Sequence, residues 1–193
     1  MTISWDAYFL RIACESAART KCLSRPIGAA LVARGKFCIG TGFNGPPVGV
    51  RQCNSPSLWY ERYKDFQISL PLELATKNSP LLSDCPRRLL GYKSGEGLFM
   101  CAAAHAERNA IDIAARMGIA TEGCYLFLSC GIPCLECAKT IIQAGITEVV
   151  VAKMEVYEKQ PITGLQMLRE GGVHLRTYNC DVEAILKEKG MPF

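Results

Sequence analysis

AHAERNAIDIAARMGIATEGCYLFLSCGIPCLECAKTIIQAGITEVVVA, residues 104–152, carries the alternation that decides the fold. Ala104–Met117 repeats its apolar residues at helical spacing, and Gly118 stands where a helix C-cap belongs. Cys124–Leu128 then reads as a strand. Pro133 opens a second helix with an apolar face of Cys134, Cys137, Ala138, Ile141 and Ile142, closed by Gly145. The β-branched run in Glu148–Ala152 predicts a buried strand. Downstream, Ile162–Glu170 is a helix closed by Gly171 and Gly172, Val173–Tyr178 a strand and Val182–Lys189 a last helix. Strands alternating with helices in this way predict an α/β sheet covered on both faces.

Upstream, Trp5, Phe9, Ile12, Ala13 and Ser16 fall on one helical face, which predicts a helix over Trp5–Arg19. Two apolar runs follow, Pro26–Ala33 and Lys36–Phe43, and the Arg34-Gly35 break between them signals a hairpin. From 44 to 101 the sequence loses any sustained period and is longer than an ordinary loop, so it reads as an insertion between the second strand and the following helix. Trp59, Tyr60, Tyr63 and Phe66 offer that insertion a helix and a small core of its own. The length, 193 residues, suits one domain over 1–193.

Composition narrows the function classes. Hydrophobic residues make up 49% and charged residues 21%, which excludes disordered and fibrous chains. The net charge of +4 is mild and scattered, so no nucleic-acid partner is expected, while a small anionic substrate suits it. Asp6, Arg11 and Glu15 interrupt the first apolar stretch, which predicts neither a secretory signal nor a membrane span, and hence a cytoplasmic protein. In that setting eleven cysteines, an odd number, point to thiolate metal sites rather than to a disulfide framework.

His105, Ala106 and Glu107 followed by Pro133, Cys134 and Cys137 form the recognised H-x-E and P-C-x-x-C signature of zinc deaminases. A catalytic zinc needs three protein ligands and an open position for water. His105, Cys134 and Cys137 supply the three, and a helix N-terminus favours both thiolates. Zinc brings the pKa of water to about 7, which leaves proton transfer to a side chain. Glu107 starts the same helix without being a ligand, so it is the expected general acid and base: it takes a proton from water, protonates the ring nitrogen and later serves the departing ammonia.

Together with Thr41–Pro47 (TGFNGPP) and the Ala138-Lys139 that follows the second cysteine, these motifs make the chain resemble the deoxycytidylate deaminase family over most of its length. The resemblance implies a three-layer α/β/α sandwich around a five-stranded mixed sheet, and conversion of dCMP, or a 5-substituted dCMP, to dUMP. It implies that Asn44 holds the sugar–phosphate side of the substrate and that the backbone at Ala106 meets the pyrimidine carbonyl. Ser129 is a further candidate for substrate contact. The family's second zinc implies a structural site at Cys22, Cys53, Cys85 and Cys101. It also implies a homo-oligomer, commonly a hexamer, with dCTP and dTTP as effectors. No single spacing identifies the phosphate-binding residues, and Arg25, Arg51, Lys153 and Tyr157 are candidates by their place in the chain. One departure is visible at LSCGIPC, where many relatives have a shorter L-x-P-C; Cys130 there is read as packing rather than as a ligand.

Two other readings use the same residues. A related zinc deaminase could act on a tRNA adenosine or a free nucleoside, and a non-catalytic, zinc-stabilised interaction protein could retain the fold. The TGFNG loop and the long insertion favour a nucleotide enzyme, and a carboxylate at Glu107 gives a purely structural metal site nothing.

Overall fold

The computed structural model of the protein describes residues 2–53, 85–93, 95–156, 161–179 and 181–187. By its contacts the chain divides into two compact units: Met1–Thr20, Pro26–Asn44 and His105–Phe193 in the first, Lys21–Arg25 and Gly45–Ala104 in the second.

In the first unit, α1 (Trp5–Ala17) leads into a hairpin of β1 (Gly28–Ala33) and β2 (Phe37–Phe43). Ser4 caps α1 by accepting from the Ala7 N–H, and Lys36 adopts the positive φ that the hairpin turn demands. In the second unit the described elements are a single helical turn, α2 (Pro86–Leu89), and a 3-10 turn at Leu98–Met100. The first unit then continues with α3 (Ala106–Arg116), β3 (Tyr125–Leu128), α4 (Leu135–Gln143), β4 (Glu148–Val151), α5 (Gly164–Glu170), β5 (His174–Thr177) and α6 (Val182–Lys187). Among the described residues no helix is long and apolar enough to cross a membrane.

The five strands form one mixed sheet in the order β2-β1-β3-β4-β5. β1 runs antiparallel to β2 and β3, while β3, β4 and β5 are parallel, joined by α4 and α5 as crossovers. A bulge between Leu31 and Val32 shifts the β1–β2 register. The side-chain period of two divides the core cleanly. Ala29, Leu31, Leu126, Leu128, Val149 and Val151 meet Ala106, Ala110, Ala138, Ile141 and Leu168 from α3, α4 and α5. Ala30, Val32, Phe127 and Val150 meet Phe9, Leu10 and Ala13 of α1 on the other face. The five-stranded, three-layer expectation is met.

Two close approaches set the helices that matter most. A Cβ on Gly42 would run into the carbonyl of Ala106 and the amide of Ala110, so only glycine lets α3 lie this close to β2. A Cβ on Gly164 would strike the carbonyl of Pro133, so the start of α5 sits directly against the turn that begins α4.

Outside the stretch 44–101, the expected helices and strands are present within a few residues of their anticipated ends. The expected helix and aromatic core at Trp59, Tyr60, Tyr63 and Phe66 lie outside the described residues.

Candidate metal centre

His105 is the N-cap residue of α3 and Cys134 the N-cap residue of α4, and neither side chain caps its own helix. Both are committed instead to a common point. Cys137, one turn into α4, joins them, and the three ligand atoms lie within 4.8 Å of one another. His105 Nδ1 is 3.4 Å from Cys134 Sγ and 3.3 Å from Cys137 Sγ. Zinc bonds of ordinary length at a tetrahedral angle place nitrogen and sulfur about 3.6 Å apart. The donor set and its spacing therefore fit zinc with little movement, and three protein donors leave one position for a non-protein ligand.

The helix ends and the mutual hydrogen bonds prepare these groups electrostatically. The Cys134 thiol is held down to about 4, chiefly by the hydrogen bond from the Cys137 thiol and then by His105. Cys137 is pushed up because it donates to Cys134, is buried and feels the Glu107 charge. His105 is raised by its bond to Cys134 and, against the opposing effect of burial, by Glu107. A divalent cation held at this point would take both sulfurs as thiolates and displace their protons.

Glu107 lies in the first turn of α3 and is only 3% exposed. Its charge reaches both His105 and Cys137. Ala106, fully buried, is the first residue of α3, where an N–H has no intrahelical acceptor.

Asn44 directly follows β2 and is 6% exposed. Its N–H donates to Ile27 O at 3.1 Å, and its Oδ1 accepts from Ile27 N–H at 2.9 Å. The Thr20 hydroxyl donates to its carbonyl. Ser129 extends the β1–β3 ladder, donating its N–H to Gly28 O at 3.0 Å while its hydroxyl accepts from Gly28 N–H at 2.8 Å. Cys130 packs against the core on the side of α3 and α4, as expected of a wall residue.

The four other candidate thiols, Cys22, Cys53, Cys85 and Cys101, all belong to the second unit. Cys101 lies within electrostatic reach of Cys22, Cys85 and Arg87. Cys22 Sγ accepts from Ser24 N–H at 3.4 Å, and Arg88 donates to Ser24 O at 2.6 Å. Among the phosphate candidates, Arg25 and Arg51 fall in the second unit and Lys153 in the first, exposed just after β4. Tyr157 lies outside the described residues.

Sequence reasoning missed the residues that hold the end of β2. Ser16 donates to Gly42 O at 2.8 Å and Asn109 Nδ2 to Phe43 O at 2.7 Å, so with Thr20 three successive carbonyls are each met by a side chain.

Several known proteins are similar to this chain. The deoxycytidylate deaminase of Schizosaccharomyces pombe is 33% identical over 175 residues, 91% of this chain and 44% of that protein. The chain spans less than half the length of the two yeast relatives it matches, 44% and 47%. The deoxycytidylate deaminase of Mus musculus is 29% identical over 177 residues, covering 91% of this chain and 80% of that protein. Among solved structures, the dCMP deaminase of cyanophage S-TIM5 in complex with dCMP and dUMP superposes with a TM-score of 0.59 at 22% identity, over 92% of this chain and 99% of that one. That likeness shows the fold. The family model for the cytidine and deoxycytidylate deaminase zinc-binding region matches residues 3–153, and it is to this family that the chain belongs.

Proposed function

We propose that the protein hydrolyses dCMP to dUMP and ammonia at a zinc held by His105, Cys134 and Cys137. The observation that carries this reading is the convergence of those three donors at two helix N-termini beside the buried carboxylate of Glu107. The naming of several relatives as deoxycytidylate deaminases supports dCMP as the substrate.

Zinc bound there supplies Lewis-acid activation of water at neutral pH. The chain's own residues do the rest. Glu107 takes a proton from the attacking water and gives it to N3 of the cytosine ring as C4 becomes tetrahedral. It then carries the water's second proton to the 4-amino group, which leaves as ammonia, so cytosine and water become uracil and ammonia. The Ala106 N–H donates to the ring carbonyl, and Asn44 holds the sugar–phosphate side. Ser129 borders the base, and Arg25, Arg51, Lys153 and Tyr157 are the candidates for reading the phosphate.

A second zinc at Cys22, Cys53, Cys85 and Cys101 belongs to the same reading, supported by their common unit and by the proximity of Cys101 to Cys22 and Cys85. The family resemblance adds a cytoplasmic homo-oligomer, a hexamer, responding to dCTP and dTTP; light scattering and kinetics with either nucleotide test that.

Ammonia release with dCMP, deoxycytidine, dCTP and 5-methyl-dCMP in parallel tests the substrate. Turnover of dCMP with deoxycytidine inert is the expected result. Turnover of deoxycytidine equal to that of dCMP overturns the phosphate-reading part, and no turnover of any, with zinc bound, overturns the activity.

A further inference from the structure

We infer that Asn109 is a positioning residue, which fixes Asn44 relative to the His105–Glu107 turn and so aligns the two ends of the nucleotide. The inference rests on the reading in which Asn44 holds the sugar–phosphate side.

Asn109 is the fourth residue of α3, and its N–H donates to His105 O at 3.0 Å, so it stands one turn above the ligand histidine on the same face. Its Nδ2 reaches across to Phe43 O at 2.7 Å, the carbonyl of the peptide bond whose nitrogen belongs to Asn44. A single side chain therefore joins the helix that carries His105 and Glu107 to the peptide that carries Asn44.

The other bonds at this peptide show what the link controls. Ile27 N–H meets the Asn44 side chain at 2.9 Å, and a backbone N–H requires oxygen there, so the orientation of the amide is fixed with Oδ1 inward. Ser16 of α1 and Thr20, just beyond it, donate to the neighbouring carbonyls of Gly42 and Asn44. Of the three side chains on carbonyls 42–44, Asn109 is the one that belongs to α3, the helix of the proton carrier. A substrate gripped at both ends responds sharply to the distance between its two anchors, because misplacement of about 1 Å costs rate even when binding survives.

Asn109→Asp keeps the size and removes the donor. The expected result is a roughly tenfold fall in kcat/KM for dCMP, carried mainly by kcat, with bound zinc and melting temperature close to those of the unsubstituted protein. In an Asn44→Ala background the same substitution has almost no further effect, since it acts through Asn44. Asn109→Gln, which retains the amide, restores part of the loss. Asn109→Ala replaces Asn109→Asp in this comparison should the carboxylate variant fail to fold. Equal losses in both backgrounds overturn the positioning role and leave the deaminase reading standing. An Asn44→Ala protein as active as the original removes Asn44 from the substrate and Asn109 with it. An unsubstituted protein inactive on dCMP overturns the activity reading and this one together.

Discussion

Glu107 is held where water cannot screen it, two residues from His105 and within reach of Cys137, so its charge has a large effect on whatever occupies the centre. Glu107→Gln preserves size and shape but removes the base. The expected outcome is unchanged zinc content and fold with a loss of about a hundredfold or more in kcat, measured by ammonia release. Unchanged turnover would remove Glu107 from the mechanism. His105→Ala works differently: it leaves two sulfurs that zinc holds weakly, so metal is lost along with activity in a chelator competition. These residues were legible because each type is dictated by its chemistry and their spacing closes within single helix turns. Asn109 and Thr20 were not, since each serves a main-chain carbonyl on another segment, and every residue type presents the same carbonyl.

At the scale of elements, helices and strands were legible from period and punctuation, yet their mutual distances were not. Gly42 shows why. In the sequence it is one small residue in a strand; in the structure it is the place where β2 admits the first turn of α3. Gly42→Ala must push that turn outward, taking His105 with it. A stability loss of about 1–3 kcal/mol in urea and weaker zinc binding are expected together. Loss of stability with zinc affinity untouched would show that α3 adjusts elsewhere. The same limit applies to Arg176, which gave no sequence signal. It is bidentate to Asp6 of α1 at 2.7 and 2.9 Å, and its Nε donates to Glu148 at 2.7 Å, so it joins α1, β4 and β5. Its pKa is raised, first by Asp6 and then by Glu148. With its side chain 33% exposed, solvent weakens these bonds, and Arg176→Ala is expected to cost only about 1–2 kcal/mol in urea unfolding, with kcat unchanged.

For the molecule as a whole, the candidate metal-binding thiols divide between two units. His105, Cys134 and Cys137 sit in the unit that contains the sheet, whereas Cys22, Cys53, Cys85 and Cys101 sit in the unit assembled from 21–25 and 45–104. The sequence loses its period from 44 to 101, and periodicity cannot say that a five-residue segment after α1 groups with 45–104. That union is tertiary, and it places Cys22 with thiols far along the chain. A closed four-thiolate site would stabilise a unit whose described regular structure amounts to two short turns, because metal binding there is folding free energy. Two zinc ions per chain are therefore expected from mass spectrometry under native conditions. Cys85→Ser should lower the count to one, make the 45–104 region more open to protease, and leave the ion at His105 in place. A Cys134→Ser protein should lose the other ion and its turnover while keeping protease resistance in 45–104. A count of one in the unsubstituted protein, lost on substitution of Cys134 but not of Cys85, would leave the second unit to be held by packing alone.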